Sequence, residues 1–209
     1  MTYYIVPLAC DYNQDRTGIG PKTIERCKTA LQFGRRLRLN GFDVVFILPT
    51  GTEPARRQPY ARTMASMMSD WFVGQGEQET GIVNTNDGYI PFDTMGEIEW
   101  ALKSIRYHQR ERNCQNPNSL QINDMSEAVV VFVTNKRHLR RVRLILRLMH
   151  GLPRSLLSGP DAFTPDAVPV FTDPEIKLVE SSEVPPSLFH EFLGYGKIIL
   201  TWVGCLKRP

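Results

Sequence analysis

His138 and Arg141 stand three residues apart shortly after an unbroken apolar run at 128–133, with Thr134 and Asn135 between the run and the pair. Residues three apart on a helix share a face, and the first turn of a helix offers unpaired N–H groups and the positive end of the dipole to an anion. A phosphate or a carboxylate suits such a place. The same dipole disfavours an imidazolium, so His138 is expected to be neutral and to serve as a ligand's hydrogen-bond partner or as a general acid/base. A capping or purely structural histidine would show the same spacing.

Other residues with chemical potential are scattered along the chain. Thr94 and Glu97 have the spacing of a capping box, which gives Glu97 a structural role and leaves it a candidate catalytic base. Asp11, Thr50 and Gly51 each follow an apolar run, the position where ligand contacts gather in α/β proteins. Cys10, beside Asp11, reads either as a nucleophile or as a small buried residue at a strand end. Asp11, Asp15, Asp87 and Asp93 match no defined metal spacing, so no metal is expected. Gly18-Ile19-Gly20-Pro21 lacks the last glycine of a dinucleotide fingerprint, because Thr23 holds that position.

The elements that must position these residues follow from the pattern of apolar runs. Residues 3–9, 42–48, 81–84 and 127–133 read as strands, and helical stripes follow each, around Ile24, Ala61, Ile98 and Leu139. Pro21 suits the first turn of the first helix. Parallel neighbours need crossover helices, so the alternation predicts a three-layer, Rossmann-like α/β fold, a mostly parallel sheet with helices on both faces. A single domain is expected over 1–209, with an irregular Pro-rich region at 151–185 and a last helix at 186–202. The pocket should lie at the carboxyl ends of the strands.

With that order in place, the helical Arg26 after the first strand, the Thr50-Gly51 closing the second, Thr94-x-x-Glu97 opening a later helix and Val133-Thr134-x-x-x-His138-x-x-Arg141 together resemble the SanA/ElyC/YdcF-like family. That family is a Rossmann-like domain of largely unknown function. The resemblance covers most of the chain and ends on a His190-Glu-Phe-Leu-Gly segment. It implies Arg26, Gly51, Thr94, Thr134, His138 and Arg141 as site residues. It also implies a small-molecule pocket for an anionic ligand, phosphorylated, nucleotide-like or S-adenosylmethionine-like. Two alternatives accompany it: a hydrolase or transferase on a phosphorylated or glycan-linked substrate with His138 as acid/base, and an adaptor in bacterial cell-envelope maintenance.

Composition bounds these readings. A formal net charge of +3, with 42% hydrophobic and 22% charged residues, is that of an ordinary globular protein. Arg140, Arg143 and Arg147 are expected to form a solvated face, and no aromatic residue interleaves with them as a stacking platform, so nucleic acid is not an expected partner. No run reaches the length of a membrane span, and the N-terminus has no signal-peptide pattern. Cys10, Cys27, Cys114 and Cys205 form no C-x-x-C pair. Reduced thiols and a cytoplasmic chain without membrane insertion are the expectation.

Overall fold

The computed structural model describes residues 1–15, 17–49, 62–84, 94–115, 128–151 and 175–182, together with Tyr195 and Ile198. In chain order these form β1 (Thr2–Pro7), α1 (Pro21–Leu39), β2 (Asp43–Leu48), α2 (Met64–Gly74), β3 (Ile82–Asn84), α3 (Thr94–Gln115), β4 (Ala128–Thr134), α4 (Lys136–Gly151) and β5 (Glu175–Glu180). The five strands make one parallel sheet in the order β3-β2-β1-β4-β5. The fold is a three-layer, Rossmann-like α/β fold.

Each layer follows from the period of the strands. Tyr3 and Ile5 of β1, with Val129, Val131 and Val133 of β4, pack against Cys27, Ala30 and Leu31 of α1 and Met68 and Phe72 of α2. Tyr4, Val6 and Leu8, with Val130 and Phe132, face the other way, onto Ile98 and Ile105 of α3 and Val142 and Ile145 of α4. Because both faces are covered, β4 has no polar side to show, and its continuous apolar sequence is the consequence. β1 lies at the centre, paired with β2 on one side and β4 on the other. The chain reverses its direction of travel across the sheet between those two partners, which makes the gap between the β1 and β4 carboxyl ends the switch point.

Close approach of a helix to the sheet requires small residues. A Cβ on Gly34 of α1 would stand 2.9 Å from the Phe46 ring, 3.2 Å from Ile5 and 3.3 Å from Val44. Helix starts are set by side chains where the sequence supplies them: Thr63 accepts from the Ser66 N–H before α2. Pro21 is the first residue of α1.

β5 lies within the stretch expected to be irregular. It is an edge strand, mostly half-buried, with a glutamate at each end. Of the expected last helix, Tyr195 and Ile198 are described; both are helical, and Ile198 is buried in the core beneath α3 and α4. Among the described residues no helix is long and apolar enough to cross a membrane. On α4, Leu139, Val142, Ile145 and Leu146 are buried, while Arg140, Arg143 and Arg147 are exposed.

Candidate functional site

The switch point gathers residues from four elements. β4 ends on Thr134, and Asn135 caps α4: its Oδ1 accepts the His138 N–H at 2.8 Å, and its carbonyl accepts the Leu139 N–H. That cap fixes the backbone of His138 and sets its ring above the end of β4. Thr134 Oγ1 then lies 3.0 Å from Nδ1. On the far side of the ring, Thr94 Oγ1, at the start of α3, lies 2.9 Å from Nε2. A threonine–histidine–threonine chain thus joins β4, α4 and α3.

Its electrostatics favour a neutral ring. Burial pushes the His138 pKa well below its ordinary value, and the positive charges of Arg141 and Arg26 push in the same direction. A neutral imidazole carries one donor and one acceptor nitrogen, so the two hydroxyls meet opposite partners. Only 6% of the His138 surface is exposed, whereas Thr94 and Arg141 are partly exposed. Arg141 is the partly exposed cation of the site.

Arg26 is placed differently from a ligand-holding arginine at a pocket mouth. Just 1% exposed, it donates from Nη1 to the Leu8 carbonyl at 2.6 Å and the Ala9 carbonyl at 3.3 Å. Those carbonyls lie just past the carboxyl end of β1, so α1 is strapped to the sheet beside the site, and the buried charge reaches His138 through the interior.

Asp11 is also engaged within the chain. Its Oδ1 accepts the Thr23 N–H at 2.8 Å, and its Oδ2 accepts the Lys22 N–H at 3.3 Å. A carboxylate therefore sits at the N-terminus of α1, where a bound anion would otherwise gain from the same N–H groups. Gly20, just before the helix, leaves the room: a Cβ there would stand 2.5 Å from the Tyr12 carbonyl and 2.6 Å from Asp11 Cγ. On the α1 side of the switch point the free N–H groups are thus taken up by a side chain of the protein itself.

No family model, curated protein or solved structure matches this chain. Chemical roles therefore rest on geometry alone. The structure brings Thr94, Thr134, Asn135, His138 and Arg141 to the ends of β4, α3 and α4. Glu97 is buried in the first turn of α3. Thr50 and Gly51 lie outside the described residues. Cys10 is exposed beside the end of β1. Among the described residues no group of three or more His, Cys, Asp or Glu is placed to hold a metal ion.

Sequence reading did not single out Thr23 as a site residue. Its buried hydroxyl accepts the Cys10 and Asp11 N–H groups, both at 3.0 Å, and donates to Asp11. A threonine in the first turn of a helix that follows a strand and loop was the available signal. A cavity of about 610 Å³ opens at the opposite, amino end of the strands, between Arg38, Asp43, His108 and Arg112. Its charges are paired, Arg38 with Glu77 and Arg112 with Asp43. It has no geometric link to the switch point.

Proposed function

We propose that this protein binds an anionic small molecule at the switch point, on the α3 and α4 side, as a Rossmann-like protein of the SanA/ElyC/YdcF type. The observation that carries the reading is a histidine between two threonine hydroxyls, kept neutral first by burial and then by the arginine charges, with Arg141 beside it and partly exposed. A neutral hydrogen-bonding centre beside a cation suits a phosphate or carboxylate, because charge is supplied by arginine and direction by the hydroxyls. Phosphorylated and nucleotide-like ligands are the first candidates, with S-adenosylmethionine, through its carboxylate, as a further one.

A second reading, a hydrolase or transferase on a phosphorylated or glycan-linked substrate, is favoured by one distance. Thr94 Oγ1 and His138 Nε2 are 2.9 Å apart, within reach for proton transfer between a hydroxyl and a base. In that reading His138 is the acid/base, with Glu97 a further candidate, and a link to cell-envelope maintenance would follow from the family resemblance.

Thermal shift with inorganic phosphate, pyrophosphate, a nucleoside triphosphate and S-adenosylmethionine tests the proposal. A ligand at about 100 times its dissociation constant adds roughly 2.7 kcal/mol of stability. Stabilisation by the phosphate-bearing ligands is expected, and Arg141→Ala should abolish it. Equal shifts in Arg141→Ala and the unmodified protein would place the ligand elsewhere. Turnover of a bound ligand that is lost in His138→Gln, with binding kept, would favour the enzyme.

A further inference from the structure

A ligand arriving at the switch point cannot meet the imidazole first. Each ring nitrogen of His138 already faces a hydroxyl, Thr134 at Nδ1 and Thr94 at Nε2. Thr134 is wholly buried and His138 nearly so, whereas Thr94 is partly exposed. Thr94 is the end of the chain that reaches the surface.

What Thr94 presents there depends on which ring nitrogen carries the proton. A hydroxyl has one proton and two lone pairs. Among the described residues, the partner of the Thr134 hydroxyl is His138 Nδ1. Were Nδ1 protonated, Thr134 would have to accept, and its own proton would be buried with no acceptor among the described residues. With Nδ1 bare, Thr134 donates, and only lone pairs go unmatched. Buried donors without partners are the rarer and costlier case. Nε2 therefore carries the proton and donates to Thr94 Oγ1, so the Thr94 proton is turned away from the ring.

We infer that Thr94 is the ligand-contacting donor of this site, presenting its hydroxyl proton to an oxyanion, and that His138 is a positioning residue that fixes this direction. The inference rests on the anion-pocket reading and deepens it. It also bears on the enzyme alternative: a nucleophilic Thr94 would need a bare Nε2 to take its proton, and the resting tautomer is the opposite one. The ground state is arranged to donate to an oxygen rather than to attack one.

The test uses the full chain with labelled histidine and two probes, inorganic phosphate and pyrophosphate. Long-range proton–nitrogen spectra should show His138 protonated at Nε2 and bare at Nδ1; the reverse pattern overturns the inference. Thr94→Val should weaken binding of the probes by about tenfold or more, the worth of one hydrogen bond to a charged group. Thr94→Ser, which keeps the hydroxyl, should stay within about twofold of the unmodified protein on the same ground. Phosphate should shift the His138 Nε2 resonance in the unmodified protein and in Thr94→Ser, but not in Thr94→Val. If Thr94→Val binds as well as the unmodified protein while Arg141→Ala does not, the pocket stands and the role of Thr94 falls. If the unmodified protein binds neither probe at about 10 mM, where an affinity of only about 4 kcal/mol would register, the pocket falls and takes this inference with it.

Discussion

At the scale of single residues, the switch point carries its charges on arginines and keeps its histidine uncharged. Burial first, then Arg141 and Arg26, hold the His138 pKa well below 6.5 in the folded protein. The unfolded chain takes up that proton at its ordinary value, so below 6.5 the unfolded state binds more protons and stability falls as the pH falls. The contribution is intact above pH 6.5 and shrinks as pH drops, by up to about 1.4 kcal/mol per pH unit until the folded value is reached. His108 is shifted in the same direction, chiefly by burial, so the measurement must be a difference. Urea unfolding between pH 5 and 7 should show a slope against pH that is steeper in the unmodified protein than in His138→Gln. Equal slopes would mean that the ring protonates freely in the fold. Arg26 supports a separate expectation. Removing its guanidinium leaves the Leu8 and Ala9 carbonyls short of a charged donor, so Arg26→Ala should cost roughly 2–3 kcal/mol in urea unfolding. A loss below about 0.5 kcal/mol, the ordinary range of a surface substitution, would show that the strap is not structural.

Elements rather than residues decide how close the layers come. In α1, Gly34 lets the helix rest on Phe46, Ile5 and Val44, and these neighbours are themselves buried and packed. Alanine would gain about 1 kcal/mol of helix propensity but press against Phe46, a cost of about 1–3 kcal/mol. A net loss of stability in Gly34→Ala is expected, and a larger one in Gly34→Leu; a gain in the first would mean that the layers have slack. The same packing explains which elements could be read from the sequence. β4 was legible because it is buried on both faces and so is apolar throughout, and α4 because its buried stripe and its arginines alternate at helical spacing. β5 was not, since an edge strand with half-buried positions and glutamates at both ends has neither an apolar run nor a clean alternation. The site divides likewise. The Thr134–His138 contact lies within one strand–helix turn, but the Thr94–His138 contact joins residues 44 apart and depends on where α3 crosses the sheet. The burial of Arg26 was equally hidden, because the strap needs the carbonyls beyond β1 as partners.

At the scale of the whole molecule, β1 is the element both halves share. Its Tyr3 and Ile5 belong to the core under α1 and α2, its Tyr4 and Val6 to the core under α3 and α4, and it pairs with β2 from Thr2 to Ile5 and with β4 from Thr2 to Pro7. Losing either core strips one face of β1, and all-parallel sheets occur almost only with both faces covered. Neither core should therefore outlive the other during unfolding. The sequence supplies a reporter for each: Trp71 packs against the first core and Trp100 against the second. Two variants, each keeping one of these tryptophans and carrying phenylalanine at the other and in place of Trp202, allow the cores to be followed separately. Their fluorescence transitions in urea should share a midpoint with the loss of circular dichroism in the same variant, the signature of a single cooperative transition. A Trp71 midpoint clearly offset from the circular-dichroism midpoint would show that the β1–β2–β3 half opens on its own. The switch point draws Arg26 from one side of the sheet and Thr94 and His138 from the other, so such an opening would take Arg26 and the end of β1 away from the threonine–histidine–threonine chain before the rest of the fold is lost.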